Sequence, residues 1–545
     1  MATSALVGGE SASRARGPRL DDDLHPAGRF AFAAALLGGL IYAGYGIYSD
    51  TTSVGESVAS GTLLFLALAL LLALGFEFVN GFHDTANAVA TVIYTRSMSA
   101  PVAVVWSGVW NFLGVMFSGG AVAYAIISLL PVDLILNIGS GAGFAMIFAL
   151  LIAAIGWNLA TWYVGIPNSS SHALIGSILG VGFANQLLTG GLAGTAGVDL
   201  GQARKVLTGL MLAPVIGFVG AFVLLHVIKR IARDPALYRA PDTDAPPPRG
   251  IRALLIATCT AVSFAHGGND GQKGMGLIML ILIGCAPTAY ALNRTGSASD
   301  TPAFVQASAT AEAVFARRAG GAVLPVEEGR EVLTGALRAR SAGDGRTYAA
   351  LGAVAGSVRE QVSGYGSIAQ VPAQATQAVR NDMYLLDDTA KLLGKIKGAD
   401  ALSAPEKAAL DGYVDQLQSG THYIPGWVKV AVALALGLGT MIGWKRIVVT
   451  VGEKIGKTHM TYGMGASAEL MAATTILLAE RFGLPVSTTH ILTSGVAGAS
   501  VANGAGLQLR TIRSMALAWV VTLPVTMALS GGLYWLFLQA VAAFG

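Results

Sequence analysis

Gly81-Phe-His-Asp-Thr-Ala-Asn87 and Gly267-Gly-Asn-Asp-Gly-Gln-Lys273 are polar runs set inside apolar segments of membrane-spanning length, and their reading decides the fold. They align Gly81 with Gly267, Asp84 with Asp270, and Asn87 with Lys273. A second matched pair follows. Gly165-Ile-Pro-Asn-Ser-Ser-Ser-His172 and Gly483-Leu-Pro-Val-Ser-Thr-Thr-His490 both read Gly-x-Pro-x, then a run of hydroxyl residues, then His. Polar groups at a depth without water must be satisfied within the protein, so polar runs that recur there are expected to line a site.

Composition agrees with a bilayer setting. Of 545 residues 53% are hydrophobic and 12% charged, too apolar for a soluble surface. Seventy glycines suit helices that pack backbone to backbone. Cys259 and Cys285 fall in apolar stretches and read as core residues, not as a disulfide or metal pair. The net charge of +4 is spread over connecting segments, where it marks orientation; no nucleic-acid surface is implied. Met1 to Pro26 is polar and reads as disordered. The apolar run Phe30 to Tyr48 reads as an anchor helix with no cleaved signal peptide.

Further apolar segments are expected at about 61–79 (continuing, broken at the Asp84 run, to 94), 101–131, 142–164, 173–187 and 206–228. After a basic linker they resume at about 253–265 (continuing, broken at the Asp270 run, to 286), 425–443, 461–480, 491–505 and 515–540. With the linker in the cytoplasm, most loop Lys and Arg fall inside, and Arg204 and Lys205 fall outside. That bookkeeping needs an odd number of crossings per half, hence two halves of opposite orientation with a site near the midplane. The motif starts Gly81 and Gly267 lie 186 residues apart, and Gly165 and Gly483 lie 318 apart, 132 more. The polar stretch Arg294 to Pro425 accounts for the excess. It has helical pattern at Ala311 to Arg318 and Lys391 to Leu410, and reads as an extracytoplasmic helical insert.

The expected fold is therefore all-α: a polytopic membrane protein of about eleven (ten to twelve) transmembrane helices in two inverted repeats with broken helices. The units are 1–59 (polar N-terminus and anchor), 60–228 (first repeat), 229–252 (basic cytoplasmic linker), 253–290 (start of the second repeat), 291–424 (insert) and 425–545 (remainder).

In Gly-x-Pro-x-Ser-Ser-Ser-His, Pro stops one helix, Gly allows the turn, and hydroxyls cap the next helix or donate to a ligand. Two such helix N-termini aimed at one place suit a tetrahedral oxyanion. Asp and Asn oxygens in the other pair suit a cation: hard ligands for Na⁺, or a carboxylate carrying a proton. His83 and His266, titrating near neutrality, lean towards the proton. Glu77 and Glu469 are further coupling carboxylates to weigh against interhelical hydrogen bonds, and His172 and His490 read as buttresses of the hydroxyls. An intramembrane hydrolase with a hydroxyl nucleophile is the rival from another class; duplication argues against it, because an enzyme needs one nucleophile, whereas alternating access uses both halves. A channel is a second rival, with no residue run resembling a filter.

These four motifs, together with Gly443-Trp-Lys-Arg-Ile-Val-Val-Thr-Val-Gly-Glu-Lys454, resemble the signatures of the inorganic phosphate transporter (PiT) family. The resemblance covers roughly 60–290 and 425–540. It implies a non-enzymatic, cation-coupled symporter of orthophosphate in the cell inner or plasma membrane, with sulfate or another oxyanion as the alternative cargo and metal-phosphate as a variant. It implies Ser169, Ser170, Ser171, Ser487, Thr488 and Thr489 around phosphate, and Asp84, Asn87, Asn269 and Asp270 at the ion or phosphate site; on their own chemistry Lys273 is placed with phosphate, and His83 and His266 join those four at the coupling ion. His83 stands where many members have Asn, and Gln272-Lys273 where they have Ala-Asn; a fixed Lys charge in place of one cation resembles the proton-coupled bacterial branch, so H⁺ is preferred to Na⁺. No cofactor or resident metal is expected. The partners are phosphate, the coupling cation and lipid, with a homodimer left open.

Overall fold

The computed structural model describes residues 18–544 apart from 19, 21–25, 191–197, 199, 242–244 and 399. Most of the polar N-terminus thus lies outside the described residues. The chain is helical throughout, and among the described residues the only extended pairing is an isolated bridge between Gly456 and Leu507. The anchor α1 is Pro26–Ser53, and the first set is α2 Ser60–Asp84, α3 Ala86–Tyr94, α4 Ala100–Phe117, α5 Ala121–Ile127, α6 Val132–Leu136, α7 Gly141–Val164, α8 Ser170–Gly190 and α9 Leu200–Ile231. After the linker come α10 Arg249–Cys285 and α11 Pro287–Tyr290. The insert holds α12 Thr301–Arg318, α13 Val326–Ala339, α14 Gly345–Tyr365, α15 Ala373–Leu393 and α16 Ala404–Thr421. The chain closes with α17 Gly426–Gly439, α18 Lys445–Glu453, α19 Tyr462–Arg481, α20 Thr488–Ala502 and α21 Leu509–Phe544.

Eight of the described helices are long and apolar enough to cross a membrane, or nine if α16 and α17, bent by 76°, count as one span. That is fewer than the eleven expected. The reason is physical: α20 has only 15 residues, and α19 carries Glu469, Glu480 and Arg481, so neither reads as a simple apolar span. The apolar stretch 101–131 divides at Ser118–Gly120 into α4 and α5. In the insert, Lys391 to Leu410 is two helices, because α15 stops at Leu393 and α16 begins at Ala404 behind a Ser403–Glu406 capping box.

The two motif types break the chain differently. At each Gly-x-Pro the helix ends outright: Gly165 (φ 75°) and Gly483 (φ 62°) take the left-handed conformation that favours glycine, and the next helix starts five residues on. The Asp runs were expected to be breaks as well, and they are not. Thr85, the one residue between α2 and α3, is itself helical (φ −51°, ψ −40°), and Asp270 lies within the unbroken 37 residues of α10. Without proline nothing forces a break, and the glycines serve close packing instead. A Cβ on Gly267 would run into the Asn111 carbonyl of α4, and one on Gly114 into the Phe264 carbonyl of α10.

Packing follows a two-fold correspondence. α2 packs on α17 and α7 as α10 packs on α4 and α19; α8 packs on α21 as α20 packs on α9. Two apolar cores sandwich a polar belt. Along α2 and α3, Phe76 belongs to one core and Ala86 to the other; along α10, Met275 belongs to the first and Ala265 to the second. From the belt, α8 runs into the first core and α20 into the second. The insert has a core of its own, built on residues such as Phe315, Val354, Leu386 and Tyr413. Both cysteines are buried and unpaired.

Candidate functional site

The belt gathers the thirteen residues assigned from the sequence to phosphate or the coupling ion, each buried. Residues assigned to anion and to cation form one contiguous cluster, because α2–α3 and α10 pass between the starts of α8 and α20.

Asp84 is surrounded by hydroxyls. Thr489 Oγ1 donates to Oδ1 at 2.5 Å, and Thr488 Oγ1 and Ser170 Oγ donate to Oδ2 at 3.3 and 3.4 Å. Asn87 Nδ2 donates to the same Thr489 hydroxyl at 3.0 Å. Asp270 faces a cation: Lys273 Nζ sits 2.7 Å from its Oδ1, one helical turn along. Lys273, fully buried, also donates to Ser171 Oγ at 2.5 Å, and Ser171 in turn donates to the Val486 carbonyl at 2.7 Å, tying one Pro break to the other. Ser170 reaches Asp270 as well, at 3.5 Å. His266 stands between the carboxylates, with Nε2 3.5 Å from an oxygen of each.

Ser169 and Ser487 have a different duty. Each accepts the backbone N–H of the His three residues on, at 3.1 Å in both halves, which makes them N-caps of α8 and α20. The rings of His172 and His490 lie 4.5 Å apart behind these caps. His83 is at the edge: its Nδ1 is 3.5 Å from Asp84 Oδ1, and its Nε2 is 3.3 Å from Thr161 Oγ1. Asn269 donates to the Leu484 carbonyl at 3.2 Å.

Sequence reasoning missed two residues. Asn80 bridges Glu77 and Asp270, at 3.4 Å to each. Asn111 Oδ1 meets His266 Nδ1 at 2.6 Å, which orients the ring so that Nε2 faces the carboxylates. An amide at membrane depth in an apolar run was the available signal for both. Glu77 belongs to the cluster through Asn80, whereas Glu469 sits apart, accepting from Thr258 at 2.6 Å.

Chemically the cluster can hold both signs of charge. The donor atoms of Asp84, His266 and Asp270 all lie within 4.8 Å of one another. The carbonyl oxygens of Asn80, Asn87 and Asn269 are buried with no hydrogen-bond donor in reach among the described residues. Such oxygens suit a hard cation. Two helix N-termini, clustered hydroxyls and an ammonium suit an oxyanion.

Spanning helices whose packing repeats in two halves, with a buried belt of charged residues between them, define a polytopic membrane protein. Residues 80–530 match the phosphate transporter family, and the chain belongs to it. It is 43% identical over 505 residues to the low-affinity inorganic phosphate transporter PitA of Escherichia coli K12, covering 89% of this chain and 98% of that protein. PitB of the same organism is 41% identical over 506 residues, covering 90% and 99%. A probable low-affinity inorganic phosphate transporter of Bacillus subtilis is 28% identical over 476 residues, covering 87% and 97%. A solved structure described as the sodium-dependent phosphate transporter aligns over 88% of this chain and 100% of that one, with a TM-score of 0.47 and 19% identity.

Proposed function

We propose that the chain is a multi-pass symporter of the cell membrane that carries inorganic phosphate together with a cation, the two halves inserting with opposite orientation. One observation carries the reading: Asp84 and Asp270, bridged by His266 and joined to Lys273, lie buried where the starts of α8 and α20 converge. Isolated charges at such depth are costly, so a carboxylate pair kept there is expected to exchange its partners during function. Counting Asp84 and Asp270 as ionised and Lys273 as charged, one further positive charge balances these three groups before an anion arrives. We assign that charge to a proton in preference to sodium, since His266 touches both carboxylates and an imidazole gains and loses a proton near neutrality.

A divalent cation travelling with phosphate is the second reading, favoured by the two carboxylates and one imidazole whose donor atoms cluster within 4.8 Å. The purified protein in liposomes, given radiolabelled phosphate with proton and sodium gradients imposed separately, is expected to accumulate phosphate uphill on the proton gradient, with arsenate competing better than sulfate. Asp84→Asn and Asp270→Asn are each expected to abolish uphill uptake while the protein stays folded. Uphill uptake retained in both variants would remove the carboxylates from the mechanism, and magnesium dependence of the phosphate flux would select the second reading.

A further inference from the structure

Between the insert and the ends of the spanning helices lies a cavity of about 960 Å³, separate from the buried cluster. Seven lysine and arginine side chains line it, against only Asp388 and Asp411. Lys391 is engaged with Asp387 at 2.6 Å, and Lys429 donates to the Ser118 carbonyl at 3.0 Å. Lys205, Lys395, Lys407 and Arg481, by contrast, have no carboxylate within ion-pair range among the described residues. They come from three parts of the chain: the start of α9, the α15–α16 region of the insert, and the end of α19.

The position of these charges needs a reason. By the orientation proposed above, Lys205 and Arg481 lie on the outer side, where the positive-inside rule disfavours them. A concave surface with an uncompensated charge of one sign raises the local concentration of the opposite ion. The floor of the cavity gives that ion somewhere to go, since Phe482 and Gly483 of the second Pro break form part of it together with Ala121. The next residue, Leu484, accepts from Asn269, which adjoins Asp270. One residue of backbone therefore separates this basic cavity from the belt.

The insert is fixed over the cavity. Arg294 at its base donates to the Thr288 carbonyl of α11 at 3.0 Å, and Arg380 of α15 donates to the Ile135 carbonyl of the first half at 3.1 Å.

We propose that the insert and the outer helix ends form an anion-collecting vestibule, a second binding site for inorganic phosphate that feeds the buried cluster past Gly483. The proposal rests on the phosphate reading above. Its test is the kinetics of radiolabelled phosphate uptake in liposomes for Lys395→Gln/Lys407→Gln/Arg481→Gln beside the parent, at low and at physiological ionic strength. At low ionic strength the KM is expected to rise about tenfold with Vmax held. The difference is expected to shrink as the screening length falls from about 30 Å at 0.01 M salt to about 8 Å at 0.15 M. Asp411→Asn, which removes a carboxylate from the same wall, is expected to lower the KM.

An unchanged KM at low ionic strength in the triple variant, with thermal unfolding like the parent's, overturns the vestibule and leaves the buried site standing. A parent that carries no phosphate at all refutes the phosphate reading instead. Repeating the series in phosphatidylcholine alone separates free phosphate from a lipid headgroup. Persistence of the KM shift there supports the vestibule, and its confinement to vesicles with phosphatidylglycerol overturns it in favour of an anionic-lipid site.

Discussion

The two halves solve one problem in two ways. Asp84 in the first half is held by neutral donors, namely Thr489, Thr488 and Ser170. Asp270 in the second half is held by an ammonium 2.7 Å away on its own helix. The aligned residues Asn87 and Lys273 account for the difference. Asn87 spends its amide on Thr489 and has no charge to give; Lys273 gives one permanently. A carboxylate held by hydroxyls keeps an unbalanced charge, while one paired with a lysine is already balanced. On the symport reading proposed above, the chain itself supplies one of the two positive charges that its carboxylates call for.

The sharpest way to break this comparison is to make the halves alike. Lys273→Asn restores the first-half pattern in the second and strips Asp270 of its partner. Removing one member of a buried pair typically costs about 3–5 kcal/mol, so a fall in unfolding temperature is expected along with at least a ~100-fold loss of proton-driven uptake. The residual uptake is expected to need a higher concentration of external cation, since the site now lacks two charges. Uptake curves against sodium, potassium and pH check this. Rates and cation dependence matching the parent would mean that the Lys273 charge plays no part in balancing the site.

How much of this was legible before the fold was known differs by motif. The Gly-x-Pro runs were read correctly as helix breaks because proline and a left-handed glycine act locally, whatever surrounds them. The Asp runs were misread as breaks because a glycine-rich stretch looks alike whether its glycines turn the chain or admit a neighbouring helix. The latter holds at Gly267, and it depends on Asn111, which lies 156 positions away in the chain. The thirteen residues do converge, yet their division into an anion set and a cation set was not readable, since Ser170 reaches both carboxylates. That Ser169 and Ser487 serve as caps was foreseeable in kind but not in place. The cavity under the insert was invisible, being lined by segments far apart in the chain.

A smaller effect is expected from the matched glycines, and it sharpens the same comparison. Gly165 and Gly483 share a positive φ, so alanine at either costs about 1–2 kcal/mol in backbone strain. Their surroundings differ. A Cβ at Gly165 meets nothing nearer than Arg446 at 3.8 Å, whereas one at Gly483 comes within 3.3 Å of the Ala121 Cβ, and both Gly483 and Ala121 line the cavity under the insert. Gly165→Ala is therefore expected to lower the unfolding temperature with little change in initial rate per folded molecule. Gly483→Ala is expected to do the same and also to slow uptake several-fold. Equal rates in the two variants would mean that phosphate does not pass Gly483.

The smallest effect contrasts the membrane halves with the insert, whose charges meet water. Arg318 holds Glu406 with two hydrogen bonds, at 3.0 and 2.6 Å, and Ser403 adds its backbone N–H at 2.9 Å. The Arg318 bonds, and then the capping bonds, pull the Glu406 carboxyl from an ordinary 4.5 down to about 2. A depressed acid stabilises the fold above its unfolded pKa, and that contribution is lost as pH falls from about 4.5 towards 2. The pair sits at the insert's surface, with 27% of the Arg318 side chain and 13% of the Glu406 side chain exposed, so water and salt screen the gain. Glu406→Gln is expected to lower the unfolding temperature by a degree or two at pH 6 and low salt, and by less at pH 3, where the parent has begun to lose the same interaction. Phosphate uptake at pH 7 is expected to stay at the parent's level, because the capping end of α16 lies away from the polar belt. An uptake defect in this variant would show that the insert's internal stability is coupled to transport, and the two regions would then have to be treated as one cooperative unit.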